Sequence, residues 1–143
     1  MSGGHTGGFL GRLKQSGLMS RLRTWAENGG VLIGTSAGAI ILTPTIATDA
    51  LFQGKPPENC MNETALDLVP FEFFPHLNAD AAFLPALLRY SQHTLRPIIA
   101  CNDGDGLAVT NGDIECIGQP LWVKNGNVRL ACNMRLSSIE IYR

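Results

Sequence analysis

The sequence predicts an α/β fold with antiparallel additions. Three observations carry this. Short apolar segments alternate with helix-patterned ones over the first two thirds of the chain. The apolar run VLIG, residues 31–34, leads straight into a turn of small residues. The last third holds two alternating runs, each folded at an Asn-Gly pair, which is a strong hairpin signal.

The elements follow in order. MSGGHTGG has turn chemistry, with five glycines or serines in eight residues. Phe9, Leu10, Leu13, Leu18, Leu22 and Trp25 then recur at helical spacing, with Gly17 as a break between two helices and Gly29-Gly30 as the stop. VLIG reads as a strand covered on both faces. Residues 37–43 can carry a further helix that Pro44 halts, and GKPPEN within the mixed segment 47–68 is a loop. VPFEFFPH reads as extended. ADAAFLPALLRYSQ is an amphipathic helix, with Pro85 tolerable near its first turn, and RPIIAC is a buried strand. The hairpins LAVTNGDIECIG and LWVKNGNVRLAC follow, and SSIEIYR is a short terminal strand.

Composition narrows the function classes. The chain has 143 residues, the length of one α/β domain. Hydrophobic residues make up 45%, enough for a proper core. With 16% charged residues and a net charge of −1, no basic stripe exists to bind nucleic acid. No apolar run approaches the roughly 20 residues that span a bilayer, so no membrane role is expected. Residues 1–15 lack the apolar stretch of a signal peptide, which predicts a cytoplasmic chain. Cys60, Cys101, Cys116 and Cys132 form no CxxC pair and read as reduced thiols rather than metal ligands or disulfides.

The chemistry centres on Ser36. Gly34-Thr35-Ser36-Ala37-Gly38 fits G-x-S-x-G, in which a serine sits on a sharp strand-to-helix turn and glycines let the backbone pass. The amide after such a serine points where an oxyanion forms. The same residues also fit a plain helix-capping serine. A nucleophilic serine needs a base, and the histidines are His5, His76 and His93. His93 lies among polar residues at a helix end, and His5 lies in the glycine cluster. His76 follows the apolar run FEFFP, where a strand end can aim a side chain into a cleft, and it is the preferred base. Its plain alternative is a core or surface histidine. For the acid, Asp49 lies between serine and histidine, while Asp103 and Asp105 in CNDGDGL are rivals because they follow the strand IIAC. Aspartates flanking glycines also simply make turns, and this pair is too small a ligand set for a metal.

The segments GGHTGGFLGRL, GLMSRLRTWAENGGVLIGTSAGAIILTPTI, FFPHLN and DGDGLAVTNGDIECIGQPLWVKNG resemble the peptidase E (aspartyl dipeptidase) and cyanophycinase family of serine peptidases over nearly the whole chain. SAGA followed by PTI is far more specific than G-x-S-x-G, and His76 lies 40 positions after Ser36, as the family pattern requires. The resemblance implies Ser36 as nucleophile, His76 as general base, and the amides of Gly4 and Ala37 as oxyanion hole. Asp49 lies near the place where the family's Asp follows Thr-Ile. It also implies a mostly parallel sheet like that of class I glutamine amidotransferases, no metal or organic cofactor, and cytoplasmic hydrolysis of small peptides such as Asp-X dipeptides. The family domain begins before the glycine turn, so an N-terminally shortened domain is expected. Its open sheet edge would invite a second copy of the chain to form a homodimer. Two substrate-side departures stand out. His5 replaces the usual Asn before Thr6, and Arg89 is the sole cation within residues 77–92; both are candidate substrate contacts. Two other readings stand beside it: an inactive relative serving as a binding or assembly module, which the missing N-terminal strands favour, and an α/β-hydrolase esterase, for which 143 residues is short.

Overall fold

A computed structural model describes residue 1, residues 3–131 and residues 133–139. The chain divides into two compact units, Met1–Val69 and Pro70–Arg143.

In the first unit, α1 (Thr6–Gln15) and α2 (Leu18–Glu27) are separated at Gly17, whose φ of 71° is the left-handed conformation that favours glycine. Leu10 and Leu13 are the buried leucines of α1. The short α3 (Ala37–Ile41) ends before Pro44 and buries Ile40 and Ile41. Backbone bonds from Leu66 N–H to Ile41 O and from Leu68 N–H to Leu42 O, 2.9 and 3.0 Å, tie residues 65–68 to the end of α3. A 3-10 turn, Ala47–Gln53, packs Ala47 and Ala50 into the same core.

The expected strand VLIG differs. Among the described residues it joins no ladder, and Val31 and Ile33 are 75% and 71% exposed. Its main-chain groups bond to Met1 and Trp25. The Met1 ammonium donates to Ile33 O, Thr35 N–H donates to Met1 O at 2.9 Å, and the Trp25 indole donates to Val31 O at 3.3 Å. A run of apolar residues announces burial on both faces only where neighbouring strands and helices cover it, and here Met1 is the main-chain neighbour.

In the second unit, β1 (Glu72–Phe74) and β2 (Ile98–Ala100) pair in parallel, with α4 (Phe83–Tyr90) as the crossover. β3 (Gly106–Thr110) and β4 (Asp113–Ile117) form the first hairpin; β5 (Leu121–Lys124) and β6 (Asn127–Leu130) form the second. β7 is Met134–Arg135. The four-stranded sheet runs β1-β2-β5-β6 and the three-stranded sheet β3-β4-β7. The class is therefore α/β with antiparallel strands, as expected, but the sheet is mixed rather than mostly parallel. β1–β2 is its single parallel pair among the described residues, because only α4 supplies the long crossover a parallel neighbour needs. Both Asn-Gly turns behave as predicted: Asn111, Gly112, Asn125 and Gly126 all have positive φ. Of the expected strand 137–143, Leu136–Ser138 is a 3-10 turn and residues 140–143 lie outside the described residues. Among the described residues no helix is long and apolar enough to cross a membrane.

The core of the second unit is Phe74, Leu87, Tyr90, Ile98, Ile99, Ile114 and Val123, all essentially inaccessible. Glu72 is buried with them. Its carboxylate accepts the Tyr90 hydroxyl at 2.8 Å and the Thr94 hydroxyl at 2.9 Å, joining β1 to α4 and to the turn before β2.

Candidate active site

Ser36 caps α3 with φ 54° and ψ −120°. This lies outside the regions an L-residue normally occupies, and such strain persists only where the surroundings enforce it. The flanking glycines show how. A Cβ on Gly34 would stand 2.5 Å from Gly38 O and 2.7 Å from Ala39 N. A Cβ on Gly38 would collide with the Met1 carbonyl. Both glycines of G-x-S-x-G are thus required by close passage of main chain. Gly3 lies beside the serine: a Cβ there would be 3.2 Å from Ser36 Cβ and 3.5 Å from Oγ. Gly4, next in the turn, has φ 132° and Ala37 is the first, buried residue of α3.

His5 caps α1, its Nδ1 accepting Gly8 N–H at 2.9 Å, which places the ring proton on Nε2. Thr6, buried at the start of α1, donates its hydroxyl to Asp49 Oδ1 at 2.7 Å, and Gln53 Nε2 donates to Asp49 Oδ2 at 3.2 Å. Asp49 therefore anchors the glycine turn to the 3-10 turn that follows α3. Arg89 is exposed in the last turn of α4, where a cation complements the helix dipole.

His76 follows β1 and Pro75. It adopts φ 58°, ψ 33° and caps a 3-10 turn, Leu77–Ala79. Its Nδ1 lies 2.6 Å from Asp103 Oδ1. A carboxylate only accepts, so Nδ1 carries the proton and Nε2 is the basic nitrogen. The carboxylate on the imidazole is thus Asp103, one of the rivals, in place of the expected Asp49. The physical reason is the loop. Asp103 leaves the end of β2, which runs parallel to β1, so the exits of the two strands lie side by side. Asp49 is committed to Thr6 and Gln53.

Three further hydrogen bonds were not foreseen. Asn78 Oδ1 accepts Asp103 N–H at 2.9 Å. Asp105 accepts Asn102 N–H and Gln119 N–H, both at 3.0 Å. The residue spacing in HLN and NDGDG held the only signal for them. Cys101, buried just before this loop, has its thiol pushed up to about 12, by burial first and then by Asp105 and Cys116. Among the described residues no group of three or more His, Cys, Asp or Glu side chains is placed to hold a metal ion.

The first unit thus holds a serine on an enforced, strained turn, and the second a histidine held by a carboxylate. Comparison with known proteins gives the family: residues 1–117 match the model of peptidase family S51, and the chain belongs to that family. The resemblance drawn from the sequence is borne out. The chain is 37% identical over 79 residues to the uncharacterized peptidases Lmo0363 of Listeria monocytogenes and Lin0382 of Listeria innocua. Each alignment covers 54% of this chain and 38% of the relative. A solved structure of a Listeria monocytogenes EGD-e protein, named as a peptidase E, superposes with a TM-score of 0.57 at 22% identity. That match covers 94% of this chain and 57% of the other, and it shows the shared fold. The chain thus spans well under two thirds of the length of these relatives.

Proposed function

We propose that the chain is a serine peptidase acting on small peptides, Asp-X dipeptides among them, by way of an acyl-enzyme. The observation that carries this is the backbone of Ser36, held at φ 54°, ψ −120° between two glycines that cannot be replaced without collision. A nucleophile elbow asks for such a strained turn and a helix cap has no need of it, which supports the reading. Ser36 Oγ attacks the substrate carbonyl, and His76 takes the hydroxyl proton as general base. Asp103 keeps that proton-accepting nitrogen correctly presented and stabilises the imidazolium. It replaces Asp49 as the acid. The amides of Gly4 and Ala37 receive the oxyanion. His76 returns the proton to the leaving amine, the C–N bond breaks, and water repeats the sequence on the ester. The reading includes a cytoplasmic location and a sheet of the class I glutamine amidotransferase type in the full-length family domain.

A fluorophosphonate probe tests it. The parent chain should be labelled at Ser36, and Ser36→Ala should not be labelled. Asp103→Asn should slow labelling by about 10²-fold or more, as expected for loss of a triad acid. Asp49→Asn should retain most of it. Failure of the folded parent to react, or equal loss in both aspartate variants, would overturn the assignment. Asp-X dipeptides, isoaspartyl peptides and short esters then sort the substrate class.

A further inference from the structure

We propose that Asn78 and Asp105 are positioning residues that hold Asp103 on His76, an inference that rests on the His76–Asp103 roles given above. Asp103 lies on an exposed loop between two exposed neighbours, Asn102 and Gly104. A carboxylate there has many conformations open to it, and keeping it 2.6 Å from an imidazole requires that its backbone be fixed. The loop is braced from both sides. On one side, Asn78 Oδ1 accepts Asp103 N–H at 2.9 Å, and Leu77 N–H donates to Cys101 O at 2.9 Å. Asn78 belongs to the 3-10 turn that His76 caps, so the turn that carries the imidazole also holds the main chain of its partner. On the other side, Asp105 accepts Asn102 N–H on Oδ2 and Gln119 N–H on Oδ1, each at 3.0 Å. That joins the loop to the β4–β5 connection. Gly118, with φ 79°, leaves the space this carboxylate fills: a Cβ there would collide with Asp105 Oδ1.

The residue types suit the task. The amide of Asn78 is neutral, so it fixes Asp103 without adding a charge that competes for the imidazolium. The charge of Asp105 is spent on two main-chain N–H groups, the kind of bond in which an ionised acceptor is strong. The ordinary reading of both residues is turn formation, and it makes a different forecast: stability falls while the imidazole–carboxylate bond survives.

The test reads that bond directly. A low-field proton resonance from the His76 Nδ1–H, followed by NMR in the parent chain, reports the carboxylate contact independently of catalysis. Asn78→Ala should broaden or abolish it and slow fluorophosphonate labelling of Ser36 by about 10-fold or more, in line with the cost of a misplaced catalytic group. Asn78→Asp keeps the acceptor and should restore the resonance, with labelling short of the parental rate because of the charge it adds. Asp105→Asn, which trades one acceptor oxygen for an amide, should act in the same direction as Asn78→Ala. If Asn78→Ala and Asp105→Asn keep the resonance and the parental rate, the positioning role is wrong. If Asp103→Asn itself keeps both, the acid assignment fails and the positioning role fails with it.

Discussion

Replacing Gly34 by alanine puts a methyl group 2.5 Å from Gly38 O, 2.7 Å from Ala39 N and 2.7 Å from Gly38 C. Ordinary contacts begin near 3.4 Å, so the first turn of α3 must retreat by most of an ångström. The obstacles are main-chain atoms, which no rotamer change can move aside. Overpacking of this kind costs about 1–3 kcal/mol, and a backbone obstacle belongs at the upper end. Against it stands the roughly 0.4–1 kcal/mol gained when alanine restricts the unfolded chain. The net loss is about 2 kcal/mol, or about 8 °C in Tm for a chain of this size. Gly11→Ala is the control. Nothing lies within 4 Å of its Cβ, and it sits inside α1, where the same change should stabilise by up to about 1 kcal/mol. Calorimetric melting curves with fluorophosphonate labelling read both effects. If Gly34→Ala melts within about 2 °C of the parent and labels Ser36 at the parental rate, the enforced turn is not what holds Ser36, and the reasoning fails.

Two other outcomes are expected. Tyr90→Phe and Thr94→Val each remove a hydroxyl from the buried Glu72 carboxylate and should cost about 1–3 kcal/mol in urea unfolding; a loss under about 0.5 kcal/mol would remove Glu72 as an organiser of this core. Cys101 is a thiol whose folded value, about 12, lies above its ordinary 9.0. Its contribution to stability is therefore fully present below pH 9 and lost as pH rises toward 12, on the order of 4 kcal/mol at about 1.4 kcal/mol per pH unit. Native protein at pH 8 should leave Cys101 unmodified by iodoacetamide, and unfolded protein should not. Rapid modification in the native state would contradict the burial that raises it.

The sequence displayed what depends on local rules. Gly17 breaks the helix, Pro44 follows the end of α3, and both Asn-Gly pairs turn where expected, because each is set by the backbone preferences of one or two residues. VLIG shows the limit. An apolar run records what the residues prefer, and Val31 and Ile33 are exposed because coverage is a property of neighbours. The acid was ambiguous for a similar reason. Order along the chain puts Asp49 between serine and histidine and leaves Asp103 and Asp105 as rivals. The parallel pairing of β1 with β2 brings Asp103 to His76, and no short-range pattern states that pairing.

Strain offers an argument about function that owes nothing to relatives. Five non-glycine residues among the described ones have positive φ: Ser36, Asp67, His76, Asn111 and Asn125. Asn111 and Asn125 precede glycines in hairpin turns, and asparagine and aspartate tolerate the left-handed region because their short side chains bond nearby backbone. Asn111 and Asn125 need no further cause. His76 sits near the left-handed well, at φ 58°, ψ 33°, and caps a turn, so its cost is moderate. Ser36, at ψ −120°, is in none of the wells, and strain of this kind costs about 1–3 kcal/mol. A serine that only capped α3 could do so from extended backbone at no such cost, as His5 does for α1 at φ −74°, ψ 109°. Of the two residues proposed as nucleophile and base, Ser36 carries the heavier backbone penalty and is the one the proposed reaction needs on a sharp turn, while His76 carries a moderate one.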